Sequence, residues 1–261
     1  MQDICFNIYP ISSLKDNYIW LIKSKDTNEC WIVDPGEALP VLRILKQDSL
    51  KLSGILVTHH HKDHCAGIPE ILNVLGKIPI YGSYNSLCPY ITIRVKEGDI
   101  ISLISTKITI LEIPGHTLDH IAYLNNDLIF CGDTIFSAGC GKIFEGTSKI
   151  MYESITKIAN LNDNIQIYCA HEYTLNNLKF SLHVDPSNSY AQRKLKEVEL
   201  LISKQKCTLP SSLGDEKKYN PFLRCKEANI ISSTSRYAAM AINSPLEVFR
   251  HLREWKNNYS I

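Results

Sequence analysis

The chain has 261 residues, 44% of them apolar and 21% charged, a balance that suits one large globular domain or one domain with a smaller companion. Its 28 basic residues against 27 acidic ones leave a formal net charge of +1, so a global basic field for nucleic acid is excluded and at most a local patch remains. No apolar run reaches the ~18 residues that a membrane span requires.

Nine cysteines are scattered along the chain without a Cys-x-x-Cys pair, which reads as a reduced, intracellular protein rather than a disulfide scaffold. The opening Met1-Gln2-Asp3-Ile4-Cys5 has no basic segment leading into a long apolar one, as a signal peptide would. The expected address is the cytoplasm, with an organelle interior left open.

Taken in order, Tyr18 to Ile22 predicts a strand, and Trp31-Ile32-Val33 predicts another that ends at Asp34-Pro35-Gly36. Leu52 to Val57 reads as a buried strand and Ile68 to Leu75 as a helix. Lys107 to Ile113 alternates as a half-buried strand does. Leu128 to Phe130 and Ile165 to Cys169 complete the strands. Past about Glu172 the texture changes. Ser189 to Lys206 is helical in composition, and Thr208 to Leu223, with its Pro, Ser and Gly clusters, reads as a loop. Ser244-Pro245 opens a last helix, whose apolar stripe runs through Leu246, Phe249 and Leu252, with Val248 and Trp255 more loosely. The pattern is α/β, with domains expected at 1–172 and 173–261.

Four of the strands run into residues with metal-ligand chemistry. Thr58-His59-His60-His61-Lys62-Asp63-His64 follows the strand that ends at Val57. Imidazole nitrogen and carboxylate oxygen suit zinc, iron or manganese. A loop leaving a strand can turn His59, His61, Asp63 and His64 to one point, whereas a helix puts positions two apart on different faces. His60, between two ligands, is expected to point away. His116 in Pro114-Gly115-His116-Thr117, Asp133 in Gly132-Asp133-Thr134 and His171 in Ala170-His171-Glu172 follow three further strands. Each alone is an ordinary satisfied histidine or turn aspartate. With the His59 cluster they make seven donors, enough for two metals that share a carboxylate. His120 and Glu172 lie near enough to orient ligands, although packing or solvent exposure is the favoured reading of both.

The His-x-His-x-Asp-His run resembles the metallo-β-lactamase superfamily. Within it, the chain resembles the glyoxalase II (hydroxyacylglutathione hydrolase) family over essentially its whole length. The resemblance is carried by Cys131 to Lys142 around Asp133, by His171-Glu172-Tyr173-Thr174, by Asn220-Pro221-Phe222-Leu223-Arg224 and by Arg253-Glu254-Trp255-Lys256. It implies a four-layer αββα sandwich followed by a small helical, glutathione-binding domain. It also implies two divalent metals per chain, zinc first, with iron or manganese as alternatives. His59, His61 and His116 would hold one metal, Asp63, His64 and His171 the other, and Asp133 would bridge. A metal-activated hydroxide, held through Asp63 and Asp133, would hydrolyse S-D-lactoylglutathione to D-lactate and glutathione, the second step of methylglyoxal detoxification. Lys142, Tyr173, Arg253 and Lys256 would contact glutathione. Phe144 departs from the family, some of whose members have a glutathione-touching Tyr there.

Arg253 and Lys256 are three apart on the last helix, share a face, and are expected off its apolar stripe, where they could grip the glutathione carboxylates. A monomer is expected, with no nucleic-acid or membrane partner. A mononuclear-iron persulfide dioxygenase of the same superfamily and a non-catalytic metal-binding protein are the rival readings. The first generally lacks this helical tail, and the second would have lost ligands.

Overall fold

The computed structural model describes residues 5–259. Met1 to Ile4, read above for a targeting signal, lie outside them. The chain divides into two compact units, one made of the residues up to Glu112 with Asp119–Gly132, the other of Ile113–Leu118 with Asp133 onward.

The first unit opens with strands β1 (Phe6–Ser13), β2 (Asn17–Ser24) and β3 (Glu29–Val33), joined as antiparallel neighbours. β4 (Lys51–Leu56), β5 (Ile80–Ser83) and β6 (Ile93–Val95) then add in parallel, giving a sheet in the order β1 to β6. Parallel neighbours need crossovers. Helix α1 (Leu39–Gln47) supplies the one from β3 to β4, and α2 (Lys62–Cys65) with α3 (Ile68–Leu75) the one from β4 to β5, α1 and α3 each having Pro in the first turn. Ile19, Leu21, Ile32, Ile55 and Val57 of the sheet pack with Val41 and Leu45 of α1 and with Ile68 and Ile71 of α3. Each such side chain contributes roughly 1.5–3 kcal/mol when fully buried.

Strands β7 (Ile100–Leu103), β8 (Thr106–Glu112), β9 (Ile121–Leu124) and β10 (Leu128–Gly132) form an antiparallel meander in the same unit. Tyr123 of β9 is fully buried, and its hydroxyl lies 2.9 Å from the Val57 carbonyl and 3.0 Å from that of Tyr81. That contact ties the meander to the ends of β4 and β5, where the His59 cluster begins.

The second unit holds the hairpin β11 (Ile135–Phe136) and β12 (Gly139–Cys140), helix α4 (Ser148–Ala159) and strand β13 (Gln166–Cys169). Helices α5 (Thr174–Val184) and α6 (Ser189–Ser203) follow. The stretch expected to be a loop at Thr208 to Leu223 is instead strand β14 (Ser211–Ser212), helix α7 (Leu213–Tyr219) and a 3-10 turn. The turn-forming residues there act as caps. Ser212 Oγ accepts from the Asp215 amide and Asn220 from that of Phe222. Glu216 of α7 is fully buried, where the Ser137 and Tyr219 hydroxyls and the Ala138 amide donate to it.

Helices α8 (Ala228–Ala238) and α9 (Pro245–Asn258) close the unit. Ser244 caps α9 as expected, accepting from the Glu247 amide. Its buried stripe differs from the expectation, being Val248, Phe249, Leu252 and Arg253, with Leu246 only half-buried. Arg253 is therefore on the packed face. Its guanidinium donates through Nη1 to backbone carbonyls there, and its stem adds to the core.

Candidate metal centre

In the first unit the strand β4 delivers its chain into Thr58 and His59, both buried. His61 stands at the N-cap of α2 with ψ 145°, and Asp63 and His64 lie in that single helical turn. The expected loop is thus half helix. The turn is short enough that the adjacent Asp63 and His64 both stay with the two preceding histidines. The ring of His59 lies 4.8 Å from that of His61 and 4.0 Å from that of His64, centroid to centroid. His64 Nε2 is 3.3 Å from Asp63 Oδ2.

The buried carboxylate of Asp34, just past β3, organises this cluster. Its Oδ1 accepts from the Thr58 amide at 2.7 Å, and its Oδ2 accepts from the Thr58 hydroxyl at 2.7 Å. The same Oδ2 lies 3.0 Å from His64 Nδ1, and the Thr58 hydroxyl lies 3.0 Å from His59 Nδ1. A carboxylate only accepts, so His64 carries its proton on Nδ1. The Thr58 hydroxyl donates to Asp34, so its lone pair takes the Nδ1 proton of His59. Both rings thereby present Nε2 as the unprotonated nitrogen, the one able to take a metal.

His60 does turn elsewhere, its Nδ1 lying 2.9 Å from Asp119 Oδ1. His120 stacks on His59, with centroids 4.6 Å apart and planes at 16°. Gly132 follows at φ +48°, and a Cβ there would come within 2.4 Å of Thr58 Oγ1 and 2.8 Å of the His120 ring, so glycine alone fits.

In the second unit His116, Asp133 and His171 are all buried. A single carboxylate oxygen, Asp133 Oδ2, lies 3.5 Å from His116 Nε2 and 3.3 Å from His171 Nε2. His116 Nδ1 donates to the Lys142 carbonyl at 2.7 Å, again leaving Nε2 as the unprotonated nitrogen able to take a metal. The His171 ring is stacked on Tyr173 at 4.7 Å. Glu172 accepts from the Thr208 amide and hydroxyl at 2.9 and 2.6 Å, tethering the segment that leads to β14.

The donors fit a divalent cation: imidazole and carboxylate groups whose ring tautomers are fixed by neighbours. Among the described residues, each of the seven falls in a set of His and Asp side chains able to hold a metal ion.

The four residues expected to contact glutathione all lie in the second unit. Lys142 is exposed, its Nζ 5.3 Å from the centre of the Phe144 ring. Tyr173 is half-buried. Arg253 is 7% exposed and donates to the carbonyls of Cys140 at 2.7 Å and Gly141 at 3.4 Å. Lys256 donates to the Asn176 carbonyl at 3.3 Å and sits 5.0 Å from the Phe180 ring centre. Burial, aided by the neighbouring Arg253 charge, pushes its ammonium down to about 8. Burial raises the Cys140 thiol despite the same guanidinium.

Sequence reasoning missed Asp34 and Asn17. Asp34 carried a signal, since it follows a strand as the ligands do, but Asp-Pro-Gly reads first as a turn. Asn17, whose side-chain amide donates to Asp63, carried none.

Residues 172–259 match the family model described as hydroxyacylglutathione hydrolase C-terminus, and residues 14–87 match that of the metallo-beta-lactamase superfamily. The chain is 44% identical over 252 residues to the hydroxyacylglutathione hydrolase of Aliivibrio salmonicida, covering 97% of this chain and 99% of that one. It is 46% identical over 251 residues to the protein of the same name from Pectobacterium atrosepticum, covering 96% of this chain and 99% of that one. Among solved structures, ETHE1 from Myxococcus xanthus superposes with a TM-score of 0.66 at 24% identity, covering 97% of this chain and 92% of that one. The structural likeness shows a metallo-β-lactamase-type α/β fold, with mixed sheets flanked by helices and a helical C-terminal region.

Proposed function

This chain belongs to the hydroxyacylglutathione hydrolase family of the metallo-β-lactamase superfamily, and from that premise we propose that it hydrolyses S-D-lactoylglutathione to D-lactate and glutathione with two metal ions per chain. It is a metal-binding thioester hydrolase. The observation that carries the two-metal reading is Asp133, one oxygen of which stands beside both His116 Nε2 and His171 Nε2. A carboxylate placed between two imidazoles in this way suits a bridge.

His59, His61 and His116 would hold one cation, Asp63, His64 and His171 the other. Zinc suits this set first, with iron or manganese as substitutes according to supply. Bound divalent cations would supply a water of lowered pKa as nucleophile and would stabilise the oxyanion on the thioester carbonyl. The protein's own part is to hold the donors in one tautomer and one place. Asp34 and Thr58 do so for His59 and His64, and the Lys142 carbonyl does so for His116. The departing thiolate needs no protein acid, because a thiolate is already a good leaving group.

Lys142, Tyr173, Arg253 and Lys256 would engage glutathione, with 173–261 as the main binding segment. Arg253 would act there chiefly by fixing the Cys140–Gly141 backbone ahead of Lys142. Among the described residues no helix is long and apolar enough to cross a membrane. A monomeric cytoplasmic enzyme without nucleic-acid partners fits the balanced charge. The test is metal analysis of the purified protein beside a lactoylglutathione assay. About two metals per chain and activity abolished by chelation are expected. Full thioesterase activity with one metal would overturn the two-metal reading.

A further inference from the structure

We infer that Asn17 is a positioning residue for Asp63 and sets how firmly the Asp63 carboxylate is presented to a metal. The inference rests on the reading of Asp63 as a ligand. Asn17 is 7% exposed, and its Nδ2 reaches two atoms of one residue. It donates to Asp63 Oδ2 at 3.1 Å and to the Asp63 carbonyl at 3.3 Å. Gripping the side chain and main chain of the same residue restricts its χ1 and χ2 together. The oxygen it grips is also the one 3.3 Å from His64 Nε2, so Asn17 sets where the aspartate's donor atom lies relative to the neighbouring ring.

The support behind Asn17 is unusually rigid for a strand end. Asn17 begins β2 opposite Ser13, across a tight turn in which Leu14 takes the left-handed φ of 50°. Such a φ is uncommon for a leucine and has to be held by its surroundings. Glu37 holds it, its Oε2 accepting from the Ser13 hydroxyl at 2.9 Å and from the Leu14 amide. Glu37 belongs to the loop that also supplies Asp34. Between them, Gly36 lies so close that a Cβ would meet the Asp63 carbonyl at 2.1 Å. One loop therefore fixes His64 through Asp34, the Asp63 backbone through Gly36, and the Asp63 side chain through Glu37 and the turn that carries Asn17. Asp63 is the one donor in the first unit's cluster without a ring to stiffen it, and a carboxylate with free rotation binds a cation less well.

The experiment uses the full chain in four forms: parent, Asn17→Leu, Asn17→Asp and Asp63→Ala. Leucine keeps the branched heavy-atom skeleton and removes the donor. Aspartate keeps the shape and sets a like charge against Asp63. Metal per chain is measured after dialysis against chelators of graded strength. The visible spectrum of the cobalt-loaded forms and the melting temperature of the metal-free forms are recorded alongside. Asn17→Leu should weaken one metal ~10–100-fold, as loss of an orienting partner does, and leave the other at parental affinity. Its cobalt spectrum should change, and the metal-free melting temperature should not. Asn17→Asp should weaken the same metal at least as much. Both metals held at parental affinity in Asn17→Leu, or both lost together, would overturn the positioning role. If Asp63→Ala itself keeps both metals, the ligand reading fails instead, and the two failures are told apart. Should Asn17→Leu not fold, Asn17→Asp gives the same reading, and parental affinity there overturns the role.

Discussion

The carboxylate of Asp34 and the imidazole of His64, thirty positions apart, meet at 3.0 Å through Oδ2 and Nδ1, with both groups buried. This single oxygen also takes the Thr58 hydroxyl, and through it the ring of His59. An aspartate outside the seven candidate donors thus decides which nitrogen two of them present.

Asp34→Asn should therefore disturb the metal centre without touching a ligand. The amide keeps the size, but one of its two atoms now donates, so it can no longer accept from the Thr58 amide on one side and from the Thr58 hydroxyl and His64 on the other. A loss of ~10–100-fold in metal affinity and activity is expected. Metal content at limiting zinc, measured beside kcat/KM, checks this, and parental metal content would show that the ring orientation is set elsewhere.

Removal of Asp133 and of His60 should give opposite results. Asp133→Ala takes away the carboxylate shared by His116 and His171, and with it the screening between two cations. Metal analysis should then show both sites depleted. His60 is engaged with Asp119, so His60→Ala should keep close to the parental metal content. Equal depletion in the two variants, both folded, would mean that the ligand set is wrong.

Arg253 and Lys256 should separate, although they share a helix. Truncating Arg253 strips two backbone carbonyls of a charged donor in a buried place, at a cost of roughly 1.5–3 kcal/mol per strong bond. Arg253→Ala should lower the melting temperature and raise KM. Lys256→Ala should raise KM for glutathione thioesters roughly tenfold to a hundredfold with kcat little changed, as loss of uniform binding does. Thermal denaturation and steady-state kinetics on a thioester lacking the glutathione carboxylates tell the two apart. An equal KM defect on both substrates would argue that Lys256 only holds its helix.

The lysine also gives a pH signature. Its ammonium is pushed down to about 8 by burial and by the Arg253 charge, so it is protonated at neutral pH and loses its charge as pH rises through that value. Burial favours the neutral amine. The folded chain therefore binds fewer protons here than the unfolded one between about 8 and the ordinary ~10.4, and this group's contribution to stability increases across that window. Binding of an anionic substrate runs the other way, and KM should climb above pH 8. Lys256→Arg, charged throughout, should flatten the climb. Kinetics from pH 6.5 to ~9.5, corrected for spontaneous thioester hydrolysis, measure it.

The seven candidate donors are read from the sequence because the segments that carry them follow apolar runs, and a metal demands a small set of side-chain types. The helix over Ile68–Leu75 and the cap and proline of the last helix were legible for the same reason, as local rules of periodicity and capping. What local rules do not contain is the partner of a polar group. Asp34-Pro35-Gly36 reads as a turn until β3 and β4 lie side by side and bring its carboxylate against Thr58 and His64. The stretch from Thr208 to Leu223 reads as a loop until buried Glu216 meets donors some eighty positions away in the Ser137–Ala138 segment. Arg253 reads as lying off the apolar stripe of its helix until the Cys140 and Gly141 carbonyls draw it inward. Side-chain type and spacing along the chain name the candidate donors, because a metal accepts few kinds of side chain. The polar residues that orient those side chains emerge from the folded chain alone, because a buried hydrogen bond depends on which distant backbone arrives beside it.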